Sequence, residues 1–382
     1  MSVRRLAGIP GFAIDEVAAR AGTDPGVLRL ENLDTDVPPP MAAIAATRAA
    51  LGTDAANSYL PFTGRLELRS AVAEHLQRQT GRAYDPGSEV VITAGGTEGM
   101  LDALLAITDP GDEVILSDPT YAGMINRVRL VGAIPRLVPL VYDGSEWRLD
   151  LDALRAAASP RTRAVFLMNP SMPSGAVLDR AEWDAVAQVC RERDCWLLYN
   201  AAMERILFDG RSAIHPAALA GMAERTIVVG SVSKEYRMIG WRVGWVAGPE
   251  TILADIARVH LYNVVTPTGI AQSAAVAALS QPPADLATAV AEWERRRDTV
   301  LRALGRFPLM EAAGGWSMLL DVGAMGHDSF AASRLLLERG RVAATPMRDW
   351  GEVNGDRFVR LVFSNEPVAR LGELGDRLRQ VF

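Results

Sequence analysis

The sequence predicts an α/β fold, a sheet with helices packed on its faces. From about residue 46, helical patterns alternate with short apolar runs, as they do in a chain that lays helices across a sheet. Several of those runs are apolar at consecutive positions, which is typical of strands buried on both faces. The length of 382 residues allows one large domain and a smaller one.

The elements follow in chain order. Residues 1–45, with VPPP at 37–40, do not fit the alternation, and we expect them to join the smaller domain. LELRSAVAEHLQRQTG is predicted to be a helix that Gly81 ends. Strands are predicted at EVVITA, DEVILSD, RAVFLMNP, CWLLYNA, RTIVVGS and VGWVAG. After the prolines of SQPPADLA, DLATAVAEWERRRDTVLRAL is predicted to be a long helix entering the smaller domain. We therefore expect a large domain of residues 46–284 and a small domain of residues 1–45 and 285–382.

Charge and composition exclude several kinds of partner. A net charge of −6 and a pI near 5.4 give no basic field for nucleic acid. No apolar run reaches the length of a membrane span, and Pro10, Gly11 and Asp15 interrupt the apolar stretch that a secretory signal needs. Cys190 and Cys195 have no His or Cys cluster nearby, so we expect neither a metal site nor a disulfide framework, and a cytoplasmic location.

Lys234 is the single lysine of the chain. It lies in GSVSKEYRMIGWRVGW, between Ser231 and Arg242. A lysine amine can lose its proton and attack a carbonyl, which a guanidinium cannot do at working pH. A hydroxyl and a guanidinium beside such an amine suit a cofactor with a phosphate at one end and an aldehyde at the other. Pyridoxal 5′-phosphate has that structure.

A second phosphate-binding motif lies in VVITAGGTEGMLDALLAI, where a strand runs into Gly95 and Gly96 and a helix begins. Backbone N–H groups at a helix N-terminus are free to hold a phosphate, and Thr97 adds a hydroxyl. Glycine is common at any tight turn from strand to helix, so this motif alone fits a purely structural turn equally well.

Together these motifs resemble the class I and II aminotransferases of the fold-type I pyridoxal-phosphate family, over nearly the whole chain. SVSKEYRMIGWRVG matches the family's S-x-S-K followed by G-x-R-x-G. The resemblance implies that Lys234 forms a Schiff base with pyridoxal phosphate and shuttles the substrate proton. It also implies that Ser231, Arg242, Gly96 and Thr97 bind the phosphate. The implied fold has a large domain, with a mixed and mostly parallel sheet flanked by helices, and a smaller α+β domain. The implied reaction moves an amino group between an α-amino acid and a 2-oxo acid.

Three more segments resemble that family. YLPFTGRLELR matches Y-x-x-x-x-G-x-x-x-L-R, which implies that Tyr59 reaches the phosphate of a neighbouring subunit and that the protein is a homodimer with shared active sites. In DPTYAGM, Tyr121 matches the aromatic residue that stacks on the cofactor ring. RFVRLVF resembles the segment whose arginine binds the substrate α-carboxylate, which implies this role for Arg360.

Three positions that would touch the heteroatoms of the ring depart from the family. NPSMPSG has Met172 in place of the second Asn of N-P-x-N-P-[ST]-G, and CWLLYNAAMERILFDG has Asn200 and Met203 in place of Asp and Tyr. Asn200 can hydrogen-bond the ring nitrogen but gives no charge to raise its pKa, and thioethers cannot donate to the 3′-oxygen. Three explanations of these departures stay open. We favour a natural branch of the family in which the electronic properties of the cofactor ring are altered. The others are an inactive relative and a substitution introduced at residue 200.

Two departures concern the substrate pocket. LENLDTDVPPP resembles the family's L-x-x-G-E-P loop, with Leu33 where a small residue usually meets the substrate carboxylate, and TPMRDWG has Met347 where the usual loop has Gly. Neither names the substrate side chain or the pathway. The altered ring ligands leave two alternatives to amino transfer. One is a pyridoxal-phosphate enzyme of elimination, replacement, decarboxylation or oxidation in a specialised biosynthetic pathway, and the other is a binding or regulatory protein without turnover.

Overall fold

The computed structural model describes residues 3–11 and 13–382, and within them the chain forms two sheets with helices around them. The helices are α1 (Ala13–Ala21), α2 (Met41–Ala50), α3 (Asp54–Asn57), α4 (Leu66–Thr80), α5 (Gly96–Ile107), α6 (Ala122–Leu130), α7 (Leu151–Ala157), α8 (Arg180–Glu192), α9 (Glu250–Asn263), α10 (Gly269–Leu279), α11 (Pro283–Ala303), α12 (Ser329–Glu338), α13 (Val368–Leu371) and α14 (Leu374–Leu378). Short 3-10 helices span Arg4–Leu6, Pro216–Ala218, Ile239–Trp241, Gly323–Met325 and Arg348–Trp350.

The strands are β1 (Leu28–Leu30), β2 (Val90–Thr93), β3 (Glu113–Asp118), β4 (Ile134–Tyr142), β5 (Trp147–Leu149), β6 (Thr162–Met168), β7 (Trp196–Asn200), β8 (Thr226–Ser231), β9 (Gly244–Ala247), β10 (Leu309–Met310), β11 (Ser317–Asp321), β12 (Val342–Pro346) and β13 (Phe358–Val362). Each strand predicted from the sequence is present, with ends within two residues of the expected ones.

The larger sheet has eight strands in the order β2-β9-β8-β7-β6-β3-β4-β5. Pairs within β8-β7-β6-β3-β4 are parallel, whereas β9 runs antiparallel to both β2 and β8, and β5 antiparallel to β4. Every residue of β2, β3 and β8 is buried, as expected for strands covered on both faces. The predicted α/β class, with a mixed and mostly parallel sheet, is confirmed.

The smaller sheet has five strands in the order β1-β12-β13-β11-β10. Its β1 comes from the N-terminal segment and pairs in parallel with β12, with Leu28 opposite Val342. The N-terminal segment therefore belongs to a sheet whose other strands lie beyond residue 308. The domain boundaries at 45/46 and 284/285 stay a prediction.

Local sequence explains where two predicted helices start and stop. Gly81 ends α4 with a left-handed φ of 73°, and its N–H donates to the carbonyl of Gln77 at 2.9 Å, because glycine adopts this conformation without steric cost. The long helix α11 begins at Pro283 rather than at Asp285, since proline is tolerated in the first turn of a helix. Within the described chain, no helix combines the length and the hydrophobicity that a bilayer crossing requires.

The sheet places several motifs at one edge. Because β2 and β8 both run antiparallel to β9, the strands β2, β8, β7, β6 and β3 share one direction and end at the same edge. Gly96 follows β2, Ser231 ends β8, Asn200 ends β7 and Tyr121 follows β3. Ligands of open α/β sheets bind beyond the carboxyl ends of the strands, so this edge is where a site is expected.

Candidate active site

A cavity of about 250 Å³ lies at this edge of the larger sheet. Residues that the sequence singled out form most of its wall: Leu33, Gly96, Thr97, Tyr121, Met172, Asn200, Ser231, Lys234, Arg242 and Arg360. The rest of the wall consists of Ile14, Asn32, Met100, Met168, Ala202, Ser233 and Ile239. Segments that are far apart in the chain therefore meet around one cavity.

The amine of Lys234 lies in the wall of this cavity. Its Nζ donates a hydrogen bond to the carbonyl of Leu33 at 2.7 Å. Burial lowers the pKa of Lys234 from 10.5 to about 7; the charge of Asp34 opposes this shift, and those of Arg360 and Arg242 add to it. Near neutral pH a large fraction of the molecules therefore carries an unprotonated amine, which can attack a carbonyl.

The start of α5 forms one end of the cavity. Its N-cap residue, Gly95, offers no side chain to the first N–H groups of the helix. A Cβ at Gly95 would lie 2.5 Å from Nη2 of Arg242, so the glycine allows the guanidinium to lie against the helix start. That Nη2 donates to Oγ1 of Thr97 at 3.2 Å, and Nη1 donates to the carbonyl of Ile239 at 2.9 Å. A helix N-terminus and a guanidinium together favour an anion here.

Two serine hydroxyls extend this anion-binding end. Oγ of Ser231 lies 2.8 Å from Oγ of Ser233 and accepts the backbone N–H of Ser233 at 3.0 Å. Hydroxyls, helix N–H groups and the guanidinium form a donor set that fits a phosphate. The amine of Lys234 in the same cavity fits an aldehyde. The residues present therefore fit pyridoxal phosphate both at its phosphate and at its aldehyde.

A different wall, made of Asn200 with Met100, Met168 and Met172, is here named the methionine wall. Asn200 is 5% exposed; its Oδ1 accepts the N–H of Ala202 at 3.2 Å and its Nδ2 lies 3.4 Å from Sδ of Met100. No described carboxylate lines the cavity. The methionine wall therefore offers an amide N–H and thioethers, and no negative charge, to whatever ring lies against it.

Arg360 supplies a buried positive charge on β13. Its Nη2 donates to the carbonyl of Glu31 and to Oγ1 of Thr345, and its Nη1 lies 3.5 Å from Sδ of Met172. The guanidinium carbon lies 4.7 Å from the ring centroid of Trp350. Burial lowers the pKa of Arg360 to about 9, so the group stays charged at neutral pH. No described carboxylate forms an ion pair with Arg360, and a buried cation of this kind favours an anion in the cavity.

Tyr121 also lines the cavity, and its ring centroid lies 5.8 Å from that of Trp350, with a tilt of 57°. Three site candidates chosen from the sequence, Met203, Met347 and Tyr59, lie outside the wall. Met203 is buried, with 1% exposure, but it is not among the residues around the cavity. Tyr59 is 85% exposed and is also not among the residues around the cavity of its own chain.

The sequence did not single out every residue of the wall. Ile14 comes from α1, which no motif marks, and only the fold brings it to the cavity. Asn32 lies next to Leu33, so the loop motif around Leu33 is the signal that could have found it. Ser233 is part of the S-x-S-K motif but was not assigned a role.

Residues 27–378 match the model of the family described as aminotransferase class I and II. Arginine–pyruvate transaminase AruH of Pseudomonas aeruginosa is 32% identical over 376 residues, covering 96% of this chain and 94% of the relative. The probable N-succinyldiaminopimelate aminotransferase DapC of Mycobacterium tuberculosis is 34% identical over 354 residues, covering 91% of this chain and 88% of the relative. The solved structure of N-succinyldiaminopimelate aminotransferase from Mycobacterium tuberculosis superimposes with a TM-score of 0.94 at 31% identity, covering 100% of both chains.

Proposed function

The chain belongs to the aminotransferase class I and II family, and from this membership we propose which of its residues carry the reaction and which substrates it accepts. The protein is a pyridoxal-phosphate-dependent enzyme that moves an amino group between an α-amino acid and a 2-oxo acid. One observation carries the residue assignment: Lys234, Arg242 and Arg360 all face the same cavity of about 250 Å³.

Pyridoxal phosphate, when bound, supplies an aldehyde that receives the amino group and a ring that withdraws electrons from the substrate α-carbon. We assign its phosphate to the guanidinium of Arg242, the hydroxyls of Ser231 and Thr97 and the backbone at Gly96. This assignment rests on the donors gathered around the start of α5. We assign the ring to the space between Tyr121 and the methionine wall, because both face the cavity.

Lys234 is the proposed acid and base of the reaction. With a pKa of about 7, Nζ can accept the proton from the substrate α-carbon and release it again near neutral pH. Arg360 holds the substrate by pairing its guanidinium with the α-carboxylate, which fixes the direction of the Cα–H bond. The carbonyl of Leu33, which accepts from Nζ at 2.7 Å, orients the amine between these steps.

We propose that the substrate side chain is uncharged and largely apolar. Ile14, Leu33, Tyr121 and Met172 give the cavity an apolar lining, and no described carboxylate lies in its wall to receive a cationic side chain. The relative from Pseudomonas aeruginosa is named for arginine, whose guanidinium would find no acidic partner here. Arginine is therefore proposed to be a poor substrate for this chain.

We also propose a homodimer in which Tyr59 of each chain completes the phosphate site of the other. Large side chains are exposed on two connected segments: Tyr59 is 85% exposed, Phe62 49% and Tyr262 86%. The segment of Tyr59 and the helix of Tyr262 are tied together by a hydrogen bond between His260 and the carbonyl of Phe62. Exposed aromatic residues of this size favour burial against a partner. The cytoplasmic location inferred from the sequence stays a proposal.

The absorption spectrum of the purified holoenzyme tests the residue and substrate proposals. We expect a visible band from the lysine-bound cofactor that converts to a near-ultraviolet band on addition of apolar or aromatic L-amino acids, with formation of the matching 2-oxo acid. Lys234→Ala should lack both the visible band and its conversion. Conversion by arginine but not by apolar amino acids would contradict the proposed substrate class. An unchanged visible band with every amino acid would contradict the assigned site.

A further inference from the structure

His260 is a fully buried histidine that joins two segments of the chain. Its Nδ1 lies 2.6 Å from Oε1 of Glu98, and its Nε2 lies 2.8 Å from the carbonyl oxygen of Phe62. Both ring nitrogens therefore have partners, one on α5 and one on the segment before α4. The imidazole, which is 0% exposed, is held between those segments and has no contact with solvent.

Glu98 connects this histidine to the proposed phosphate site. It lies in the first turn of α5, and its second oxygen, Oε2, accepts the backbone N–H of Ala94. Ala94 immediately precedes Gly95 and Gly96, the turn that carries the phosphate donors. One carboxylate thus holds both His260 and the turn whose backbone N–H groups face the cavity, because each of its oxygens has one of these partners.

Phe62 connects the same histidine to the proposed dimer surface. It closes the segment Tyr59–Phe62, whose aromatic side chains are 85% and 49% exposed at its two ends. His260 fixes the backbone of that segment at the Phe62 carbonyl. Two residues further along α9, Tyr262 is 86% exposed, so the helix that carries His260 also contributes to the surface that we propose to face the partner.

The hydrogen bond between Glu98 and His260 favours charge on both groups. Burial opposes charge on both groups, but their mutual hydrogen bond lowers the pKa of Glu98 and raises that of His260. Burial raises the pKa of the neighbouring Asp102 to about 8, so that carboxyl is protonated and adds no second negative charge. A buried hydrogen bond between opposite charges is among the stronger ones that a protein makes.

We propose that Glu98 and His260 are positioning residues that couple the phosphate-binding turn of one subunit to the Tyr59 segment it offers to the other. The inference rests on the proposed homodimer and on the proposed role of the turn. One buried hydrogen-bonded pair then holds a phosphate contact in its own chain's site and a second contact in the partner's site. This coupling affects binding of the cofactor phosphate, and not binding of the rest of the cofactor or of the substrate.

The affinity for pyridoxal phosphate, compared with that for pyridoxal, tests the phosphate role. We expect His260→Ala and Glu98→Ala to weaken binding of pyridoxal phosphate by about tenfold, the worth of one such hydrogen bond, and binding of pyridoxal by less than about twofold. Pyridoxal lacks the phosphate, so it reports on general damage to the cavity. Equal weakening of both compounds would overturn the proposal, because it would mean that the pair only supports the fold.

Two further variants sharpen this test. Glu98→Gln can still accept from Ala94 and donate to a neutral His260, so it should restore most of the affinity for pyridoxal phosphate that Glu98→Ala loses. His215→Ala is the matched control, because His215 is also a buried histidine, with 4% exposure, and lies outside the cavity. It should lower the melting temperature without changing the ratio of the two affinities. A changed ratio in His215→Ala would overturn the assignment to Glu98 and His260.

Hybrid dimers test the coupling between subunits. A wild-type chain is paired with a Lys234→Ala chain, or with a chain that carries both Lys234→Ala and His260→Ala, and capture of pyridoxal phosphate by the wild-type chain is measured after borohydride reduction. We expect the wild-type chain to capture less pyridoxal phosphate when its partner is the double variant. In that hybrid, the partner that lacks His260 supplies the Tyr59 segment to the wild-type site. Equal capture in a proven dimer would overturn the coupling alone. A monomer in light scattering would instead contradict the proposed homodimer, and the coupling with it.

Discussion

The side-chain oxygen of Asn200 accepts the backbone N–H of Ala202 at 3.2 Å. This bond fixes which end of the Asn200 amide faces the cavity. If the amide were turned over, its NH2 group would face the N–H of Ala202, and two donors cannot form a hydrogen bond. The group that Asn200 offers to the cavity is therefore its NH2, now 3.4 Å from the sulfur of Met100. A ring nitrogen that meets this group is met by a donor, which pairs with an unprotonated nitrogen and not with a protonated one.

Asn200→Asp should raise the rate of amino-group transfer by about tenfold or more. Each unit by which the pKa of the ring nitrogen rises increases the ratio of protonated to unprotonated ring about tenfold. A carboxylate at this position favours a protonated ring, which withdraws electrons from the substrate α-carbon more strongly. Single-turnover kinetics of conversion of the visible band, with saturating amino acid, measure this step without product release.

The control for this change is Asn354→Asp. Asn354 is a buried asparagine, with 8% exposure, whose Nδ2 donates to the carbonyls of Asp118 and Leu140. It should lose stability without any gain in rate, because a carboxylate would face two carbonyl oxygens. An unchanged or lower rate in Asn200→Asp would mean that the native reaction was built for a neutral ring.

Met172→Asn should lower the pH at which the visible band of the bound cofactor titrates. The thioether of Met172 cannot donate a hydrogen bond. In the wild type, the 3′-oxygen of the cofactor would therefore accept a hydrogen bond only from the proton at Nζ of Lys234. An amide at residue 172 would donate a hydrogen bond to that oxygen. The oxygen would then stabilise the proton at Nζ less strongly, which lowers the pKa at Nζ. A shift of about one pH unit corresponds to one neutral hydrogen bond, and a spectrophotometric titration of both proteins measures it. A titration that stays at the wild-type pH would show that residue 172 does not reach the oxygen.

Much of the site could be predicted from the sequence because its residues follow strand ends. Gly96 follows β2, Ser231 ends β8 and Lys234 follows it, and these two strands share one direction, so the order of the motifs already places them at one edge. Ile14 could not be predicted in this way, because only the packing of α1 brings it to the cavity. The orientation of the Asn200 amide could not be predicted either, since it depends on one backbone N–H.

The same distinction applies to the fold. The ends of the strands that consist of continuous apolar runs are predicted within two residues. A strand buried on both faces has apolar residues at consecutive positions, and this pattern is visible in the local sequence. β4 was missed: its sequence, IPRLVPLVY, carries Pro135 and Pro139, and proline argues against a strand within a sheet. The contact between Glu98 and His260 also has no local signal, because the two residues are 162 positions apart.

Arg360→Ala should raise KM for the amino acid by about a hundredfold, because it removes a buried partner of a carboxylate. The visible band of the bound cofactor should persist, since Arg360 is not among the residues that we propose to bind the phosphate. Arg357→Ala is the matched control: Arg357 pairs with Asp321 outside the cavity wall and should leave KM within about twofold. Steady-state kinetics with a fixed 2-oxo acid measure both variants. A KM that is unchanged in Arg360→Ala would assign the carboxylate to another residue.

The lowered pKa of Lys234 also predicts how the stability of the cofactor-free protein depends on pH. The folded amine has a pKa of about 7, whereas the ordinary value is 10.5. Between these values the unfolded chain binds a proton that the folded chain does not, so the free energy of unfolding rises with pH across the window from 7 to 10.5. Below pH 7 both states carry the proton, and the cost of burying the charge is present in full.

Lys234→Met isolates this contribution, because methionine has a similar length and does not titrate. Urea unfolding of both proteins at several pH values between 7 and 10 gives the difference in their free energies of unfolding, from which the other titrating groups cancel. We expect the wild type to gain stability relative to Lys234→Met as the pH rises. A difference that stays constant over this range would mean that the amine keeps its ordinary pKa, and Lys234 would then need another group to remove its proton before it could act as a base.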